Sequence, residues 1–459
     1  MDDPVLTARV EALRNKLEVV AANLDSKAWQ PEQNRANTRA ELVGESSLWN
    51  GLSPLIIQIH RHLTDLKAVE TGLAQAANPA AVSNAWLQYS KTLRNSQELL
   101  RECLEIIGSL AIRTRDLDHK TLHIADELIR DCMTLSTGDP YYYMLVHSLG
   151  ETFLKARARI IRLRFPEWTI WDLPLAAHEL GHVAISEILA RETREEDETL
   201  RTLTRFLEDQ TASLVVTDPD LNAQNLNAEV ERAAEVRRWA QSRVRVLLAD
   251  AFATYTLGPA YACSAIMLRL SPPVIAQRDM PSDTQRAHVI MSMLRWMNNR
   301  APIPKPYTDV AEQLEGVWQN AVERSNPGSK LGADYTRHLE QLVEVFVTEV
   351  TYQTLNGTAQ YPHRAPNDGW GKAQEWAGSW LDQWDKRQPL ETPSGGGGKL
   401  RDVLNAAWLC HLRLAGTLEE KTRARREFAG AAQALCKAII DARQAGSRIA
   451  PSAASPVGT

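Results

Sequence analysis

The chain has 459 residues, of which 44% are hydrophobic and 24% charged, with a formal net charge of −5. That length calls for two or three domains, and the composition is that of a folded globular protein. The small negative charge leaves no basic footprint for nucleic acid, so no nucleic-acid partner is expected.

The opening "MDDPVLTARVEAL" is acidic where an export signal would be basic, and no stretch approaches the ~18 consecutive apolar residues of a membrane span. Five cysteines, Cys103, Cys132, Cys263, Cys410 and Cys436, are scattered with no CxxC pair. They read as reduced, buried thiols, and the expected setting is cytoplasmic.

In chain order, Leu6, Val10, Leu13, Leu17, Val20 and Leu24 step 4-3-4-3-4, an a/d seam that predicts one helix of an intramolecular bundle. Amphipathic stretches at 81–112 and 117–135 extend this N-terminal bundle to residue 137, where "STGDPYY" breaks the pattern. A further helix is predicted over 141–165, its Arg157, Arg159, Arg162 and Arg164 forming a solvated basic face. Asp172-Leu173-Pro174 then predicts a helix start, with proline in the first turn. Residues 191–240 read as charged surface helices around an irregular stretch, and "ASLVVTD" at 212–218 as a short strand. The segment 244–270 is apolar and helical, interrupted at Gly258-Pro259 and stopped at Pro272-Pro273.

Core boundaries are expected at 138–300, followed by a tryptophan-rich helical region at 301–391. Its Trp318, Trp370, Trp376, Trp380 and Trp384 suit helix packing better than a ligand box. "TPSGGGGKLRD" fails the phosphate-loop pattern, because Pro393 stands where a glycine is needed and Leu400 where a hydroxyl is needed. It reads as a linker at 392–399, before a C-terminal helical pair at 400–447 and a disordered tail at 448–459. Mainly α is the expected fold class.

The chemistry concentrates in "LAAHELGHVAI", residues 175–185. On a helix His178 and His182 project from one face, with Glu179 beside the first, the arrangement in which two imidazoles hold a zinc ion and a carboxylate handles water. Glu179 is the one charged residue from 175 to 184, and Gly181 leaves room for another element to approach. Two imidazoles and a carboxylate in so apolar a frame need partners, and a metal would supply one. His119 and His123, also four apart with Asp126 near, lack that frame and read as a surface helix face.

The HELGH motif resembles the zincin metallopeptidases, in particular the glutamate-zincin branch. In several of its families the third ligand lies on a later helix of the form ExxADxFA, and "VLLADAFA" at 246–253 carries Ala249, Asp250, Phe252 and Ala253 of that pattern. The likeness spans residues 174–262 and departs at Val246, which stands in place of the ligand glutamate and cannot bind metal. The resemblance implies Zn2+ held by His178 and His182, with Glu179 as general base. The expected third ligand is Asp250, one turn past Val246 on the same helix, with one of Glu229, Glu231 and Glu235 on a neighbouring helix, or no complete site, as the alternatives. Glu187, five residues past His182, points about 140° away. The competing role for Asp250 is to orient a histidine.

The zincin core would also carry a small β-sheet. An oxyanion donor is required as well, and Tyr255, Tyr261 and His288 lie downstream. The activity so implied is peptide-bond hydrolysis in a restricted protein substrate. The alternative is a catalytically degenerate helical scaffold or zinc-sensing protein that keeps the zincin frame.

Overall fold

The computed structural model describes residues 4–24, 39–114, 121–133, 144–148, 160–164, 169–182, 185, 208–216, 230–271, 279–300, 306–325, 331–345, 369–391 and 398–449. The protein is mainly α. Its chain divides into two compact units, one of residues 1–122 with 142–166 and one of residues 123–141 with 167–459. This differs from a single boundary near 137, because the chain passes from the first unit to the second twice.

In the first unit, α1 (Pro4–Leu24), α2 (Arg39–Ala74) and α3 (Pro79–Thr114) form a bundle. The seam read from the sequence is its core: Leu6, Val10, Leu13 and Leu17 are buried against Leu55, Ile59, Leu66 and Val69 of α2 and Tyr89 and Leu99 of α3. Each such fully buried aliphatic side chain contributes roughly 1.5–3 kcal/mol of transfer free energy.

The single helix expected over 141–165 does not account for the described residues of that segment, 144–148 and 160–164. These form two strands, β1 (Met144–Ser148) and β2 (Ile160–Arg164), paired in parallel with Met144 opposite Ile160. In "IIRLR" Ile161 and Leu163 alternate with Arg162 and Arg164, a period of two that the arginine spacing alone concealed. Arg157 and Arg159 lie outside the described residues.

The second unit begins with α4 (Thr121–Met133), whose Ile124, Ala125, Leu128, Ile129 and Cys132 are buried and whose Asp131 accepts two hydrogen bonds from Arg443 at 2.8 and 3.0 Å. A 3-10 turn, Leu173–Leu175, leads into α5 (176–182), with Pro174 inside the turn as expected. Residues 208–216 are helical, α6, and not a strand; Thr211 and Leu214 are buried while Val216 is 66% exposed. A half-buried strand would have put Leu214 and Val216 on the same face, so the i, i+3 burial decides for helix.

Helix α7 (Val230–Leu257) ends at Gly258, whose φ of 65° is open to glycine, and Pro259 starts the short helix α8 (Pro259–Ser264). The Asn405 side chain clasps this junction, accepting from the Ala260 amide at 2.8 Å and donating to the Leu257 carbonyl at 3.0 Å. A π-turn, Ala265–Arg269, follows directly.

Helix α9 (Asp283–Arg300) packs along α7 and also contacts α10 (Thr308–Ser325) and α11 (Ala333–Val345). α12 (Trp370–Asp385) lies along α13 (Leu400–Arg413), which α14 (Leu418–Ile449) covers. Trp370, Trp376 and Trp380 of α12 and Trp318 of α10 are buried in this packing, and Trp384 lies tilted against the Phe428 ring, 5.9 Å between centroids, and under the Arg423 guanidinium. Gly398, at the end of the glycine run, sits against the Trp376 ring, with which a Cβ would collide. Residues 392–397 and 450–459 lie outside the described residues. All five cysteines are free and buried. Among the described residues no helix is long and apolar enough to cross a membrane.

Candidate functional site

α5 and α7 cross at their smallest residues. A Cβ on Gly181 would lie 2.9 Å from the Ala249 Cα and 3.0 Å from its carbonyl oxygen, so the two backbones touch where one helix has no side chain and the other a methyl group. The neighbours of that contact, His178 and His182 on one helix and Asp250 on the other, are thereby brought together. His178 is 1%, Glu179 3% and Asp250 0% exposed. So little water reaches them that their partners decide their charge.

The two imidazoles stand nearly perpendicular, with ring centroids 4.7 Å apart and an interplanar angle of 87°. Their Nε2 atoms face each other at 3.2 Å. On its other edge, His178 Nδ1 lies 2.8 Å from Asp250 Oδ1. An ionised carboxylate can only accept, so Nδ1 carries the proton and Nε2 of His178 presents a lone pair. That lone pair can accept a hydrogen bond from the His182 N–H or bind a metal ion.

Asp250 has further donors. Arg286 of α9 grips it through two bonds, Nε to Oδ2 at 2.8 Å and Nη2 to Oδ1 at 2.9 Å, and the Tyr261 hydroxyl donates to Oδ1 at 2.5 Å. Burial would raise the Asp250 pKa, but the Arg286 guanidinium and then His178 outweigh it and hold the carboxyl well below the usual range. Burial drives the His178 pKa down to about 4 against the pull of Asp250, and burial followed by His178 itself depresses His182. Both rings are neutral near pH 7, the form that ligates metal. Burial and the Asp250 charge push the Tyr261 hydroxyl well above its ordinary value, so it remains a donor. Glu179 Oε1 faces the Arg269 Nη2 at 3.5 Å, and Arg269 stands at the end of the π-turn.

Asp250 meets His178 on the Nδ1 edge, away from the Nε2 pair. In this arrangement it orients a histidine and is not a third donor beside the two nitrogens. Glu231 and Glu235 are not on a neighbouring helix but on α7 itself, 19 and 15 residues before Asp250. At ~1.5 Å per residue they stand roughly 22–28 Å from it, out of reach of the pair. Glu229 and Glu187 lie outside the described residues. Among the described residues no group of three His, Cys, Asp or Glu side chains is placed to share an ion.

Of the expected oxyanion donors, Tyr261 is committed to Asp250, and His288 faces Glu340 at 3.7 Å. Tyr255 is buried in α7. His123 is half-buried on α4, and His119 lies outside the described residues. Sequence reasoning missed Arg286 and Arg269. Arg286 had a signal: it occupies the same helical stripe as Ile290, Met293 and Met297, all buried, so a cation stood at a core position.

No family model, no curated protein and no solved structure matches this chain.

Proposed function

We propose that His178 and His182 hold a zinc ion and that the protein is a zinc-dependent peptidase with Glu179 as general base. One observation carries this reading. Two imidazole nitrogens bound to one tetrahedral zinc at ~2.05 Å stand roughly 3.3 Å apart, and the two Nε2 atoms here stand at 3.2 Å. The neutral rings, the proton fixed on Nδ1 by Asp250 and the closed apolar frame all suit that ligation.

When bound, zinc would supply an acidified water and a Lewis acid for the scissile carbonyl. Glu179 accepts the water proton on its carboxylate and returns it to the leaving amine. Asp250 holds the His178 ring in one tautomer, and the guanidinium of Arg269 stands 3.5 Å from the Glu179 carboxylate that acts as the base. Among the described residues no third protein donor stands beside the pair. The five buried thiols fit a reducing compartment, and the enzyme is assigned to the cytoplasm, acting on a restricted protein or peptide substrate.

The second reading, a helical scaffold or zinc sensor in the same frame, is favoured by Val246 and by the commitment of Asp250 to Arg286. Metal analysis and a peptide screen separate the two. Protein purified without added metal is expected to carry near one zinc per chain, lost in His178→Ala and His182→Ala, while Glu179→Gln keeps the zinc and loses hydrolysis. Zinc without hydrolysis of any peptide would select the sensor, and no zinc even after supply would select the scaffold.

A further inference from the structure

The cluster beside the imidazoles has one member that neither the histidine spacing nor the carboxylate accounts for. Arg286 is 5% exposed, and its guanidinium spans both oxygens of a carboxylate that is itself fully enclosed. A buried charge pair of this kind is weak evidence for stability, since apolar residues of the same volume often do as well. Its geometry has a different consequence. A carboxylate bound through one oxygen can swing about its Cβ–Cγ bond. A carboxylate clamped through both oxygens by a planar fork cannot. With Oδ1 fixed, the 2.8 Å bond to His178 Nδ1 fixes the rotation of the imidazole, and hence the direction in which Nε2 points.

The clamp is itself anchored. At the start of α9 the Ser282 amide donates to Gln285 Oε1 at 2.7 Å, and the Gln285 amide bonds back to the Ser282 hydroxyl at 3.3 Å. The Arg286 amide donates to the Ser282 carbonyl at 3.0 Å. Asp283 Oδ2 accepts from the Ser271 amide at 2.8 Å, which ties this helix start to the segment just past Arg269. Arg286 is thus held from a capped helix end, and the relay runs from α9 through α7 to α5.

We propose that Arg286 is a positioning residue that sets the zinc affinity of the His178–His182 pair by locking Asp250. The inference rests on the zinc-site reading and adds to it the group that makes the pair rigid. Tyr261 is the lesser partner in the same lock, since it holds Oδ1 from a second side.

The test is zinc affinity, read by competition between metal-stripped full-length protein and a chromophoric chelator, well below the melting temperature of each variant. Arg286→Met is expected to bind zinc roughly 10–100-fold more weakly than the wild type, as loss of a ligand-orienting group does. Arg286→Lys keeps the charge without the fork and is expected to fall between the two. That graded recovery is something a purely structural role would not give. Should Arg286→Met fail to fold, Tyr261→Phe probes the same carboxylate and is expected to weaken zinc binding by a smaller factor. Wild-type affinity in folded Arg286→Met, or in Tyr261→Phe if the first variant does not fold, would overturn the inference and leave the zinc site standing. A wild type that takes up no zinc would overturn both.

Discussion

His411 illustrates what burial does to a single titratable side chain away from the site. It lies on α13, its ring stacked on Trp408 at 4.9 Å between centroids and edge-on to Trp171 at 5.3 Å. Neither ring nitrogen has a hydrogen-bond partner among the described residues. Burial, then Arg425 and Lys421, lowers its pKa to about 4. The folded value lies below the unfolded one, near 6.5, so between those values the unfolded chain takes up a proton that the folded chain refuses. Stability therefore falls as pH drops through that window, and His411 contributes no pH dependence above it. His411→Leu keeps the packing and removes the titration. Urea midpoints at pH 7 and pH 5 should show the variant losing less stability on acidification than the wild type, by on the order of 1 kcal/mol. His178 and His182 titrate in the same direction and leave a residual slope in both proteins. Equal losses would mean that the His411 ring is hydrated.

At the scale of elements, the crossing of α5 and α7 is the joint on which the site depends. Glycine inside a helix is ordinarily worse than alanine by about 1 kcal/mol, so Gly181→Ala would be stabilising on propensity alone. Here the new methyl would lie 2.9 Å from backbone, which cannot swing aside as a side-chain end can. The sign should reverse, with a net loss of about 1–3 kcal/mol from forcing the helices apart. Zinc binding should weaken with it, because His178 and Asp250 lie on opposite sides of the joint. Thermal melts and chelator competition on the same sample check both; a stabilised variant with unchanged zinc affinity would refute the close crossing. The glycine and the histidine spacing were legible in the sequence because both are local, read along one helix. The seam of α1 and the tryptophans of α12 were legible for the same reason. What was not legible was pairing at a distance. Asp250 and Arg286 are 36 positions apart and Glu179 and Arg269 are 90, and only the packing of α9 and the π-turn brings them together. The role of Asp250 changed for that reason: one chain shows an aspartate one turn past Val246 but not which edge of an imidazole it meets. The strands at 144–148 and 160–164 were missed because helix and strand periods are hard to separate in runs of five residues.

At the scale of the molecule, the double passage of the chain between units decides where it can be cut. The composition break near 137 suggests removing everything before it, but that removes α4, and α4 belongs to the second unit. Its buried Ile124, Leu128, Ile129 and Cys132 would leave an apolar face uncovered, and Arg443 would lose the paired bonds to Asp131. At roughly 1.5–3 kcal/mol per large aliphatic side chain, the loss amounts to several kcal/mol, comparable with the whole stability of a domain. Two truncated chains isolate this effect, one starting at residue 115 and the other at 138. Both lack α1, α2 and α3, and both carry β1 and β2 without the helices they pack on, so those losses cancel in the comparison. The chain from 115 should show a cooperative urea transition, read by tryptophan fluorescence of the α12–α13 core. The chain from 138 should unfold at a clearly lower urea concentration or bind a hydrophobic dye without denaturant. Coincident transitions would show that α4 contributes nothing to the second unit, and the histidine site would then depend on a smaller body than the fold implies.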